Sequence, residues 1–91
     1  MNQEQQLIVY TKSWCGDCHR TKRLLDNYEI PYQEIDAEAD PAHGQYIAGL
    51  NGGQERVPTL IFPDGSIMVE PSDAALSERL GLTAEDGDWG I

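Results

Sequence analysis

Between Leu7 and Asp36 the chain spells strand, helix, strand, and that order leaves little choice of architecture. Leu7-Ile8-Val9-Tyr10-Thr11 is a short, β-rich apolar run, the pattern of a buried strand. Thr21, Leu24, Leu25 and Tyr28 then recur at helical spacing, with Arg20, Lys22 and Arg23 between them. The helix they define should begin at or just after Cys15. It should end before Ile30-Pro31, because a residue ahead of proline is pushed out of the helical region. Tyr32-Gln33-Glu34-Ile35-Asp36 alternates as a second strand. Two consecutive strands joined by a helical crossover lie parallel in one sheet.

The rest of the chain extends that sheet. Asp40-Pro41 supplies an N-cap and a proline at the first helical position, opening a helix that runs to about Leu50, where Asn51-Gly52-Gly53 breaks it. Thr59-Leu60-Ile61-Phe62 and Ser66-Ile67-Met68-Val69 flank Pro63-Asp64-Gly65, which reads as an antiparallel hairpin. Ser72 caps a last helix with Ala75, Leu76 and Leu80 on one side, stopped by Gly81. The order β-α-β-α-β-β-α predicts an α/β fold, a four-stranded mixed sheet flanked by about three helices. Residues 1–82 are expected to form one domain. Residues 83–91, TAEDGDWGI, are expected to be a flexible acidic tail carrying Trp89.

Both cysteines lie in Ser13-Trp14-Cys15-Gly16-Asp17-Cys18-His19-Arg20, a stretch that fits three chemistries. As C-x-x-C-H it is a c-type haem attachment pattern. Haem attachment needs an exported, oxidising assembly route, and MNQEQQ lacks the basic and apolar regions of a signal peptide. A zinc site needs four ligands, and beyond the two cysteines the chain offers only His19 and His43, at unmatched spacing. No bound metal is expected. Thiol–disulfide chemistry has a physical mechanism in its favour. Cys15 would sit at a helix N-terminus, where free N–H groups and the helix dipole stabilise a negative charge. Lys12 precedes it and Arg20 lies one turn beyond, and both favour a thiolate, while Asp17 between the sulfurs opposes it. Cys18, inside the first turn, should be the more buried, resolving thiol.

Charge sharpens this reading. The net charge is −10, which argues against binding nucleic acid or an anionic membrane. Yet residues 1–25 hold four of the six basic side chains against two acids, and residues 26–91 hold fourteen acids against Arg56 and Arg79. Positive charge thus gathers along the chain around the cysteine motif. No apolar run reaches transmembrane length, so a reducing, cytoplasmic setting is expected.

Tyr10-Thr11-Lys12-x-x-Cys15-x-x-Cys18, together with Arg56-Val57-Pro58-Thr59, resembles the glutaredoxin branch of the thioredoxin-fold superfamily over about Leu7 to Leu80. Ser13-Trp14-Cys15-Gly16-x-Cys18, Asn51-Gly52-Gly53, Val57-Pro58-Thr59 and Asp64-Gly65-Ser66 are closest in appearance to the mycoredoxins, glutaredoxin-like proteins that serve mycothiol. The resemblance implies a thioredoxin-like fold and a cis Val57–Pro58 bond. It implies an enzyme that reduces protein–small-thiol mixed disulfides or protein disulfides, with Cys15 as thiolate nucleophile and Cys18 as its partner. Lys12 would help hold the thiolate, Trp14 would border the substrate groove, and Val57 with Pro58 would fix the mixed disulfide. Arg20, Arg56, Ser72 and Asp73 would meet the anionic groups of the thiol. Its co-substrate would be mycothiol, bacillithiol or glutathione, with no tightly bound cofactor, and its partners would be oxidised or S-thiolated proteins. A monomer is expected.

Two departures bear on the thiol. Glutaredoxins usually have Pro-Tyr where Gly16-Asp17 stand, and Gly-Gly where Glu70-Pro71-Ser72-Asp73 stand, so Glu70 would repel the carboxylates of glutathione. Two alternatives remain open at this stage: a thioredoxin-like disulfide reductase recharged by a flavoprotein disulfide reductase, and an iron–sulfur carrier sharing a cluster between two chains through Cys15.

Overall fold

The computed structural model describes residues 6–82. The acidic stretch 83–91, with Trp89, lies outside the described residues. The elements follow the order β1 (Leu7–Thr11), α1 (Gly16–Asn27), β2 (Tyr32–Asp36), α2 (Pro41–Leu50), β3 (Thr59–Ile61), β4 (Ile67–Val69) and α3 (Asp73–Leu80). They build one mixed sheet of order β2-β1-β3-β4. β1 runs parallel to β2, with Val9 opposite Glu34, and antiparallel to β3, with Val9 opposite Leu60. β4 closes the sheet antiparallel to β3, pairing Leu60 with Met68.

β1 is apolar up to Thr11 because it lies inside the sheet with a packed layer on each face, so alternate side chains bury on opposite sides. Leu7 and Val9 join Leu24, Leu25, Leu60, Phe62 and Leu76 in one core. Tyr10 joins Cys15, Cys18, Ala37, Ile47 and Val57 in a second. The two cysteines are therefore part of the apolar packing that binds α2 to the rest of the fold. β2, at one edge, buries none of its five residues fully, which explains its polar composition. Among the described residues no helix is long and apolar enough to cross a membrane.

The caps follow the sequence signals. Asp40 accepts from the Ala42 N–H at 2.9 Å and Ser72 Oγ from the Ala75 N–H at 3.0 Å. Gly81 ends α3 at φ 76°, a left-handed conformation that favours glycine. Two details differ from the sequence reading. Both hairpin strands are three residues long, because Phe62 already belongs to the turn: its N–H donates to Ser66 and its carbonyl accepts from Gly65, each at 2.8 Å. In α3, Ala75 is exposed and Ser77 is buried beside Leu76. The stripe Asp73-Leu76-Ser77-Leu80 has the spacing of one helix face, and docking its two leucines leaves Ala75 off the contact.

Candidate active site

Cys15 is the N-cap of α1, with extended backbone (φ −86°, ψ 113°). Its own N–H donates to the Lys12 carbonyl at 3.1 Å, which tightens the loop leaving β1 and places the sulfur over the helix start. A helix leaves its first N–H groups without intrahelical partners. Here the Cys18 N–H turns back to the Cys15 sulfur at 3.0 Å. The sulfur takes the place that a serine or aspartate oxygen occupies in an ordinary cap. Across from it stands the Val57 carbonyl, 3.7 Å from Cys15 Sγ, and the Val57–Pro58 bond is cis. Thr59 Oγ1 donates to the Arg56 carbonyl at 2.6 Å, pinning this loop to the start of β3.

The two thiols differ in kind. Both are free, but Cys18 has no exposed surface, while Cys15 keeps a sliver. Burial pushes the Cys18 thiol up to about 12, helped by its hydrogen bond to the Cys15 sulfur and opposed by a backbone hydrogen bond at Lys12 and by the Lys22 charge. Cys18 therefore holds its proton well above the ordinary thiol range.

A cleft of about 400 Å³ opens beside Cys15, lined by Trp14, Gly16, Asp17, Glu55, Arg56, Val57 and Glu70. Of the residues singled out in the sequence, Cys15, Trp14, Asp17, Arg56, Val57 and Glu70 meet there, while Lys12 and Pro58 do not line it. Trp14 is two-thirds exposed, and its Nε1–H donates to Glu38 at 2.9 Å. Arg20 and Asp73 line a separate groove along α1. Ser72 has its hydroxyl committed to capping α3.

Charge around the motif is balanced in space in a way that residue order hides. Lys12 pairs with Glu55 at 2.8 Å, and Arg20 with Asp17 and Asp73, both at 3.1 Å. Lys22 pairs with Glu34 at 2.9 Å and Arg56 with Glu70 at 3.4 Å. Most of these acids come from other elements, so among the described residues the basic segment carries no free basic face beyond Arg23. Glu55 and Glu38 are the site residues that sequence reasoning missed. They lie 43 and 24 positions from their partners Lys12 and Trp14, and the only local signal was the position of Glu55 two residues ahead of Val57-Pro58. Glu70 holds a left-handed backbone (φ 50°), a conformation that costs a non-glycine residue roughly 1–2 kcal/mol, and its N–H donates to the Pro58 carbonyl at 2.8 Å. That bond fixes the far wall of the cleft to the Pro58 loop.

The glutaredoxin family model matches residues 7–67. A candidate glutaredoxin of Mycobacterium tuberculosis is 40% identical over 74 residues, covering 81% of this chain and 88% of that protein. Mycoredoxin 1 of Corynebacterium glutamicum is 29% identical over 78 residues, covering 86% and 96%. Among solved structures, a variant of a thioredoxin-like protein superposes with a TM-score of 0.74 at 22% identity, covering 87% of this chain and 99% of that one. The solution structure of a Brucella melitensis glutaredoxin gives 0.65 at 23% identity, covering 90% and 85%. At these identities the structural likeness is one of fold.

Proposed function

Since the chain belongs to the glutaredoxin family and is a glutaredoxin-like thiol–disulfide oxidoreductase, we propose that its substrates are mixed disulfides between proteins and a small thiol, attacked by Cys15. The observation that carries this reading is the Cys18 N–H aimed at the Cys15 sulfur from the start of α1, 3.0 Å away. A donor held there stabilises a thiolate as it forms and as it is released.

The thiolate of Cys15 attacks the small-thiol sulfur of the mixed disulfide. One S–S bond breaks, the protein leaves as a thiolate and takes up a proton, and Cys15 carries the small thiol. A second small thiol, as its thiolate, then attacks the small-thiol sulfur of this adduct. That step releases a symmetrical small disulfide and restores the Cys15 thiolate. In the dithiol variant Cys18 attacks instead, which gives the Cys15–Cys18 disulfide and one small thiol. The raised Cys18 thiol supports the first route, because a thiol that keeps its proton is a slow nucleophile. Val57 and Pro58 border the incoming disulfide, Trp14 forms the outer edge of the groove, and Lys12 steadies the loop behind Cys15. Arg56 meets polar groups of the thiol in the cleft. Arg20, Ser72 and Asp73 lie outside this cleft and would meet only a thiol whose outer end reaches beyond it.

Mycothiol is the preferred co-substrate, with bacillithiol and glutathione behind it. The carboxylates of Asp17 and Glu55 in the cleft wall weigh against the carboxylates of glutathione, while Glu70 is offset by Arg56, and the likeness to mycoredoxin 1 points the same way. The setting is the cytoplasm, the working unit is a monomer, and a flavoprotein disulfide reductase recycles the oxidised small thiol.

The test is intact mass on Cys18→Ser after exposure to the disulfides of mycothiol, bacillithiol and glutathione. The expected result is one adduct at Cys15, formed fastest with mycothiol, by on the order of tenfold over glutathione, or about 1.4 kcal/mol. No adduct with any of the three overturns the reading.

A further inference from the structure

Both cations nearest the nucleophile are held by acids, but the two pairs are arranged differently. Arg56 and its partner Glu70 both line the cleft, so that pair adds no net charge to the wall. Glu55 lines the cleft, whereas its partner Lys12 does not, its Nζ lying 5.7 Å from the centre of the Trp14 ring. Glu55 therefore lines the cleft and the residue carrying its counter-charge does not. Asp17 has a similar relation to Arg20, but its side chain is more exposed, at 55% against 42% for Glu55, and water screens it further.

Glu55 is also seated. Its carboxylate lies against Gly44, on the buried face of α2, where an added Cβ would come within 2.6 to 2.9 Å of the carboxyl atoms. A glycine in mid-helix costs roughly 1 kcal/mol relative to alanine. At this position it leaves the room that the carboxylate fills, and the Lys12 ammonium at 2.8 Å closes over it. Backbone on one side and a cation on the other fix where the negative charge stands.

We propose that Glu55, held between Gly44 and Lys12, is a specificity-determining residue that biases the Cys15 cleft against disulfides carrying carboxylates and toward neutral or cationic ones. The inference rests on Cys15 being the nucleophile. It goes further in assigning the charge preference to one side chain that takes no part in the sulfur exchange. A unit charge several ångströms from a charged group changes the interaction by an amount set by the local screening, which corresponds to about three- to tenfold in rate at low salt.

The experiment compares Cys15 adduct formation in the full chain and in Glu55→Gln, using three probes: glutathione disulfide (anionic), 2-hydroxyethyl disulfide (neutral) and cystamine (cationic). Each is run at low salt and at 0.5 M NaCl, on the order of a Debye length below 5 Å. The unsubstituted chain should react with cystamine faster than with glutathione disulfide. Glu55→Gln should narrow that ratio by about three- to tenfold, with the neutral probe little changed. Added salt should narrow the ratio in the unsubstituted chain and leave the variant almost flat. Gly44→Ala, which unseats the carboxylate without removing it, should narrow the low-salt ratio in part. Equal acceleration of all three probes in Glu55→Gln overturns the proposal, because it would mean that Lys12, once released, acts on the sulfur itself. An unchanged ratio also overturns it. Neither result touches the nucleophile; only absence of any Cys15 adduct in the unsubstituted chain would do that.

Discussion

Cys15 and Cys18 are three positions apart, yet a single helical turn divides their chemistry. Cys15 is the cap, with its sulfur facing the cleft and an N–H donor behind it, while Cys18 is inside the turn and has no exposed surface. With its thiol pushed up to about 12, Cys18 remains protonated at neutral pH. Limited alkylation of the reduced protein at pH 7, mapped by peptide mass, should therefore label Cys15 first. Labelling of Cys18 should appear only as the pH climbs toward 12 or the protein unfolds. Equal labelling at pH 7 would mean that the burial of Cys18 does not protect it. The spacing of the motif was enough to place Cys15 at the helix start and Cys18 inside the first turn, because Thr21, Leu24 and Leu25 mark a helix that begins at or just after Cys15. The ion partners were beyond that reasoning. Nothing in the residues around Lys12 or Trp14 points to Glu55 or Glu38, since contact between them exists only once α2 and the Val57 loop have packed.

At the scale of elements, helix boundaries were the most legible feature, because each is set by local chemistry. Asp40 with Pro41, Ser72 and Gly81 stand where α2 starts, where α3 starts and where α3 stops. Such a cap has a measurable worth. Ser72→Ala removes the acceptor for the Ala75 N–H and should cost about 1 kcal/mol in urea denaturation, within a range of roughly 0.5–2. A loss well below that would show that water replaces the hydroxyl. Less legible was which face of α3 docks. Ala75 and Leu76 are neighbours in sequence and 100° apart around the axis, so the choice depends on the shape of the core beneath. That core is formed by Leu24 and Leu25 of α1 and Phe62 after β3, none of which is local to α3. The short β3 and β4 have the same kind of cause. The ladder ends where Asp64 Oδ1 accepts both the N–H and the hydroxyl of Ser66, at 2.9 and 2.7 Å, and folds the turn early.

Across the whole molecule the sheet has an apolar layer on each side, and the active site is built into one of them. Cys18 packs with Tyr10, Ala37, Ile47 and Val57, so its protonation is coupled to the stability of the entire fold. An unfolded cysteine releases its proton from about pH 9, whereas folded Cys18 keeps it to about 12. Between those values the folded state binds more protons than the unfolded one, so stability falls as pH rises. The contribution is fully present below pH 9 and is lost as pH climbs through the folded value, with a limiting slope of about 1.4 kcal/mol per pH unit for one whole proton. Tyr32 adds to the fall above pH 10, because burial and its bond to Asp26 raise its phenol to about 12. On the acid side the sign reverses. The Lys22 hydrogen bond, with that of Thr11, holds the Glu34 carboxyl below its ordinary range, so its contribution is present above that range and lost as pH falls through the folded value. Urea denaturation of the reduced protein should therefore show stability falling between pH 8 and pH 10.5. Cys18→Ser has no thiol to ionise at that position, so it should flatten the part of the fall below pH 10 and leave the Tyr32 part in place. An equally steep fall in both proteins would separate the Cys18 proton from folding.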